Sequence, residues 1–474
     1  MIRGAPFESR SDRGLSLIEL PYHENSALLF ENIADWPWAV FLDSGRHDPS
    51  RSRYDIIAAD PWATLITRGG MTEIHTRDSV RISPEDPLVL LREIVCLRAD
   101  PIGPLPFYGG AIGYFGYDLS RRFERLPTLA TDDERLPEMA FGVYDWAVVV
   151  DHLEQRTWLA SRGCDQRTLE NWQSLEHRFS EPVAVHVRPG FRTTSSIRSS
   201  VTREQYIQAF EHIKRYLVEG DCYQVNLAQR FEVQAQGDPW SAYQALRLLN
   251  PAPFSAYLNL PFVKILSSSP ERFLQVRNSR VETRPIKGTR SRAGHPRLDA
   301  ERIRELRGSA KDRAENVMIV DLLRNDLAKN CRVGSVKVPR LFEVESFASV
   351  HHLVSTISGE LQPNKDAIDL LRGCFPGGSI TGAPKLRAMQ IIEELEPYRR
   401  GVYCGSIGYI GYDGAMDTNI AIRTLTLNDA HAYFWAGGGI VADSVAADEY
   451  QETLDKAATF FKLVRQCAPL GATR

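Results

Sequence analysis

The sequence predicts an α+β fold, with large and mainly antiparallel β-sheets in the core and helices outside. Three observations carry this. Alternating or β-branched runs with strand composition recur at 262–268, 272–285, 404–410 and 419–427. Helical periodicity is confined to a few segments, at 202–220, 311–329, 384–395 and 447–465. The two kinds of segment do not alternate regularly, as a doubly wound parallel sheet would require.

Taken in chain order, residues 14–180 form a first section of strand-like segments broken by Gly, Pro and Asp. Within it, 139–150 followed by 157–160 reads as a hairpin. The polar stretch 188–200, rich in Arg, Ser and Thr, is the best linker. A second section, 201–466, opens with a helix. Thr202 is its expected N-cap, Gln205 completes a capping box, and Gly220 stops it. Tyr206, Ile207, Phe210, Ile213 and Leu217 make its apolar face. Residues 288–310, with nine charged side chains among small ones, read as a mobile excursion and a solvated helix.

Composition narrows the class. With 474 residues, 43% hydrophobic and 25% charged, the chain buries a sizeable core. A formal net charge of -3, spread along the chain, supplies no basic stripe for nucleic acid. The polar N-terminus lacks a signal-like apolar core, and no apolar run approaches the ~18 residues of a membrane helix. Seven cysteines without a C-x-x-C pair argue against a disulfide framework. A soluble cytoplasmic protein is expected.

Several residues stand out for chemistry. Asp312 and Glu315 share one helix face, as do Glu449 and Glu452, with Lys456 one turn on. Two such pairs facing each other make an all-oxygen site for Mg2+; otherwise each is a solvated face. The small residues 377–383 before Pro384 expose backbone N–H groups at a helix start, which suits a carboxylate, or form only a tight turn. Arg423 sits in an alternating strand and faces solvent or a polar pocket. Gly437, Gly438 and Gly439 admit a ligand close to the backbone, or mark a bulge. Lys287 lies at a strand end; its amine is a nucleophile if desolvation or nearby cations lower its pKa, and otherwise a solvated charge. Glu271 is a general acid if buried, and His352 an orienting or proton-donating group or a satisfied core histidine.

The order and wording of these segments are specific. GDCYQVNLAQR (220–230), SSPERF (268–273), RPIKGTR (284–290), DRAENVMIVDLLRND (312–326), HHLVS (351–355), FPGGSITGAPK (375–385), AGGGIVADS (436–444) and DEYQETLDK (448–456) follow one another. From Thr202 to Lys456 the chain resembles the chorismate-binding domain shared by anthranilate, aminodeoxychorismate, isochorismate and salicylate synthases. The first section looks like the family's N-terminal domain. The resemblance therefore implies an anthranilate synthase component I-like fold.

Within the family, the water-adding members carry a lysine base where this chain has Gln224, which implies an ammonia user. Lys287, where anthranilate synthases have alanine, implies amination at ring carbon 4. The resemblance further implies that Lys287 attacks ring carbon 2, Glu271 protonates the departing 4-hydroxyl and His352 helps to place that group. It implies Mg2+ held by Glu315 and Glu452, with Asp312 and Glu449 behind. Thr381, Gly382, Tyr409, Arg423, Gly438, Gly439 and Lys456 would hold the substrate's carboxylates. No glutaminase-type cysteine is present, and Cys374 and Cys404 read as small buried residues, so a separate glutamine amidotransferase subunit is the expected partner. Ser44, Arg53, Tyr54, Pro253, Phe254 and Ser255 match the family's tryptophan pocket. The rival readings are an anthranilate synthase large subunit and a silent tryptophan-binding regulatory subunit.

Overall fold

A computed structural model describes residues 15–45, 53–95, 103–181, 187–347, 350–428 and 430–467. Strand-forming segments assemble into two large sheets whose ladders are antiparallel, of thirteen and twelve strands among the described residues. The first runs from Ser16–Leu20 through Arg156–Ser161, Trp146–Asp151, Tyr54–Ala58 and Ala39–Asp43. It continues through Phe254–Leu260, Val263–Ser269, Thr424–Asn428, His431–Ile440 and Gln224–Gln236. In the second, Ser406–Gly411 pairs with Gly110–Phe115 as the first section's strands meet those of the second. Each sheet thus takes strands from both sides of the polar stretch at 188–200.

Alternation along the strands explains the layering. Val40, Ile56, Ala147 and Val149 of one sheet meet Ile112, Tyr114, Ala140 and Ile407 of the other in a shared core. Their neighbours Phe41, Ile57, Val148 and Val150 face outward against the helix Pro239–Leu249 and the C-terminal helix Ala446–Gln466. The second sheet is covered in the same way by Pro87–Val95, Ala310–Ala328 and Ala367–Cys374. Four layers result, helix, sheet, sheet and helix, so inner strands are apolar on both faces.

This double burial explains where the structure departs from the sequence reading. The run 139–150 is two strands in different sheets, Met139–Tyr144 and Trp146–Asp151, and the hairpin joins only the latter to Arg156–Ser161. The break falls at buried Asp145, whose carboxylate accepts the N–H groups of Cys164 (2.8 Å) and Asp165 (3.1 Å). Residues 272–285 form a hairpin that turns at Asn278 and Ser279, both at positive φ. The run 419–427 is broken: Asn419 ends the strand Met416–Asn419, the next strand begins at Thr424, and Arg423 between them is left-handed, with φ 49°.

The helix Arg203–Glu219 is bounded as predicted: Thr202 Oγ1 accepts the Gln205 N–H at 3.2 Å, Gln205 Oε1 accepts the Thr202 N–H at 2.8 Å, and Gly220 ends it at φ 83°. Segment 188–200 is not a free linker, because Arg192–Thr193 and Arg198–Ser199 pair with Gln224–Gln236. Segment 288–310 is folded. The strand Ile286–Ser291 runs into it, and its helix, Pro296–Gly308, is tied back by Arg290 to Glu305 (2.7 Å) and by Arg302 to the Ser291 carbonyl (2.8 Å). Among the described residues no helix is long and apolar enough to cross a membrane.

Candidate active site

The site gathers where the strands Gln224–Gln236 and His431–Ile440 meet the turn at 377–383. The strand Ile286–Ser291 and the helices Ala310–Ala328 and Ala446–Gln466 complete it. Gly382 pairs with Val225, and only glycine fits: its φ is 143°, and a Cβ would lie 2.1 Å from the Gln224 carbonyl oxygen. Buried Thr381 ties the turn together through its hydroxyl, which donates to the Gly377 carbonyl at 3.0 Å. A fully buried guanidinium, Arg400, holds turn and strand together. It pairs with Glu396 at 2.7 Å and donates to the carbonyls of Ile380 and Asn226, each at 3.0 Å.

Lys287 reaches into this setting, its Nζ donating to the Ser379 carbonyl at 3.3 Å. Burial lowers its pKa; Glu315, Glu271 and Glu452 oppose that shift and Lys456 adds to it. Across the turn, the Ser379 hydroxyl donates to Glu271 Oε1 at 2.7 Å. Glu271 is 5% exposed, and burial pushes its pKa up to about 7, against the pull of Ser379 and Lys287. An amine whose pKa is lowered and a carboxyl whose pKa is raised therefore face one serine from two sides.

His352 lies on the strand Val350–Glu360, with Nδ1 2.8 Å from the Thr289 hydroxyl. Burial, reinforced by the positive charge of Arg423, takes its pKa down to about 3, so the ring is neutral. Desolvation lowers the pKa of Arg423, and its guanidinium donates to Asn250 Oδ1 at 3.3 Å. Among the described residues no carboxylate pairs with it. A half-buried cation without a counter-ion among the described residues is suited to an anionic ligand.

The four acids approach from two helices. Glu315 and Glu449 have raised pKa values, first through burial; the charges of Asp312 and Glu449 add to the rise in Glu315, and that of Glu452 to the rise in Glu449. In Glu452 burial is outweighed by Lys456, 2.7 Å away, and the carboxyl is held below its usual range. Asp312 accepts a hydrogen bond from Arg290 at 3.2 Å. Lys311 lies 3.8 Å from Glu449, which also accepts the Ser444 hydroxyl at 2.6 Å. Gly438 is the open wall beside them: a Cβ there would lie 3.0 Å from Glu449 Oε2 and 3.7 Å from Glu452 Oε1. Lys456 also donates to the Gly437 carbonyl at 2.9 Å. Among the described residues no three acid, histidine or cysteine side chains converge as a closed ligand set. Such an acid-rich, oxygen-only arrangement fits an ion that keeps several waters, as Mg2+ does.

The structure thus brings Lys287, Glu271, His352, Thr381, Gly382, Arg423, Gly438, Gly439, Lys456 and the four acids into one neighbourhood. Tyr409 does not join them. Strand alternation turns it, with Ile407, into the core between the sheets. There it lines a second cavity, of about 230 Å³, with Ser44, Arg53, Tyr54, Pro253, Phe254 and Ser255. Two further residues, Ser379 and Gln224, join the site around Lys287. Ser379 touches both Lys287 and Glu271. Gln224 is fully buried beside Gly439, and neither its Nε2 nor its Oε1 has a partner among the described residues. The small-residue turn marked the place of Ser379 in the sequence, but nothing there fixed its orientation.

A family model described as chorismate binding enzyme matches residues 41–462. Aminodeoxychorismate synthase component 1 of Klebsiella aerogenes is 50% identical over 445 residues, 93% of this chain and 97% of that protein. The protein of the same name from Escherichia coli (strain K12) is 50% identical over 447 residues, covering 93% and 96%. The crystal structure of anthranilate synthase component I from Streptococcus pneumoniae TIGR4 superposes with a TM-score of 0.75 at 34% identity, covering 85% of this chain and 91% of that one.

Proposed function

The chain belongs to the family of chorismate-binding enzymes, and on that premise we propose that it aminates chorismate at ring carbon 4, giving the 4-amino-4-deoxychorismate from which p-aminobenzoate is made. The observation that carries this reading is the half-buried Lys287 amine, its pKa lowered by desolvation, one serine away from the buried Glu271 with its raised pKa. Half of the residues it shares with two relatives named aminodeoxychorismate synthase component 1 are identical.

Lys287 Nζ forms a bond to ring carbon 2. The ring double bonds shift, the bond from carbon 4 to its hydroxyl breaks, and Glu271 gives the departing oxygen its proton, releasing water. Neutral His352 helps to place that hydroxyl. Ammonia then bonds to carbon 4, the double bonds return, the bond to Lys287 breaks, and the Glu271 carboxylate takes back a proton. Covalent catalysis divides one hard displacement into two easier ones. Arg423, with the turn at Thr381 and Gly382 that precedes the helix Lys385–Leu395, holds carboxylate charge, as do Gly439 and Lys456. Glu315 and Glu452, with Asp312 and Glu449 behind, would hold Mg2+, which when bound supplies positive charge for the ring carboxylate. Gln224 offers an uncharged amide in place of a base, which suits ammonia rather than water. Ammonia is supplied by a separate glutamine amidotransferase subunit. The cavity around Ser44 and Tyr54 takes L-tryptophan.

Incubation of the purified chain with chorismate, Mg2+ and ammonium salt tests the assignment. A product with the mass of the 4-amino compound is expected; fluorescent anthranilate in its place would overturn it. Lys287→Ala should abolish the reaction, and an unaltered rate would remove the covalent role.

A further inference from the structure

Resting on that reading of Lys287 and Glu271, we propose that Ser379 is a positioning residue that fixes which oxygen of Glu271 delivers the proton, and holds Lys287 in line with it. The same residue offers its hydroxyl to Glu271 Oε1 at 2.7 Å and its carbonyl to Lys287 Nζ at 3.3 Å. Its carbonyl also accepts the Asn226 side-chain amide at 3.0 Å. In a neutral carboxyl the oxygen that accepts a hydrogen bond is the carbonyl one, so the acidic hydrogen belongs on Oε2. The acid is thereby presented in one orientation before substrate arrives, and the amine sits on the other side of the same backbone unit.

The serine cannot drift, because its neighbours are held. Arg400 clamps the Ile380 carbonyl, Thr381 closes on Gly377, and Asn226 is itself fixed through its N–H to the Thr381 carbonyl at 2.8 Å. Ser379 is 7% exposed. A hydroxyl that donates to a carboxylate favours the charged form, so Ser379 also moderates the rise that burial forces on Glu271. The other charged or titratable groups facing Glu271 are Lys287 from its strand, Lys456 from the C-terminal helix, and the Cys404 thiol.

The test compares Ser379→Ala, Ser379→Cys and Ser379→Thr with the wild type, following chorismate consumption against pH with free ammonia held constant. The alanine variant should lose roughly tenfold or more in kcat, with KM for chorismate within about twofold. Its alkaline limb should move up by roughly one pH unit, because the acid has lost a bond to its charged form. Threonine should restore both limb and rate, and cysteine, a weaker donor, should fall between. Should the alanine chain fail to fold, the cysteine variant carries the same test. An alanine or cysteine limb that coincides with the wild type, or a loss seen only in KM, would overturn the proposal. Wild-type anthranilate would sink the 4-amination and leave this test intact, because that chemistry also expels a protonated 4-hydroxyl.

Discussion

The identity of the reactive groups follows from what burial does to each titratable side chain. An exposed lysine is charged at neutral pH and is no nucleophile; Lys287 has its pKa lowered by desolvation. An exposed glutamate cannot hold a proton at neutral pH, whereas Glu271 is pushed up to about 7. The signs oppose: activity should fall as pH drops and the amine gains its proton, and fall again above about 7 as the acid loses its own. A bell-shaped kcat profile is expected, with limbs that belong to the coupled pair rather than to either residue. Glu271→Gln keeps the shape and loses the proton. It should lower kcat by about 10²–10⁴-fold while chorismate still binds, as rate measurements and calorimetric titration would show. A variant retaining the wild-type rate would exclude Glu271 as the acid. How much of this was legible in the sequence differs by residue. Lys287 and Glu271 stood in motifs, but their burial did not, because it is imposed by chain segments far away in sequence.

At the scale of elements, the turn at 377–383 depends on a buried ion pair. Arg400 and Glu396 are both almost fully enclosed, and between them they bind the Ile380 and Asn226 carbonyls and the Ala228 N–H. Arg400→Ala would leave Glu396 buried and uncompensated. We expect a loss of about 3–5 kcal/mol in urea unfolding, much of it recovered when both residues are replaced by methionine. Gly382→Ala should be poorly tolerated for a different reason, its φ of 143° and the nearby Gln224 carbonyl. The sequence disclosed the helices better than the strands. A capped amphipathic helix such as Arg203–Glu219 carries its own start, stop and face. The run 139–150 carries no such marks, since both faces of each half are covered, and only Asp145 betrays the change of sheet.

At the scale of the whole molecule, the two sections are interleaved: each sheet is built from both. The cavity around Ser44 sits at that seam, lined from the first section by Arg53 and Tyr54 and from the second by Phe254, Tyr409 and Asn419. A ligand bound there ties the sections together and should stabilise the chain by mass action, by about 2.7 kcal/mol at a hundredfold excess over Kd. L-Tryptophan should therefore raise Tm in a concentration-dependent way while leaving the chorismate rate unchanged. A flat Tm at millimolar tryptophan would retire that ligand, and a rate that falls with it would make the pocket regulatory.

By itself the sequence determined the fold class, the helix boundaries and the chemical types at the site, because composition, capping and motif spacing are local properties. Only the tertiary structure decided that Tyr409 faces the inter-sheet cavity, that Arg423 has left-handed backbone and no counter-ion among the described residues, and that Ser379 links amine to acid. Those outcomes depend on which face of a strand is buried and by what, and that is settled by packing between segments hundreds of residues apart.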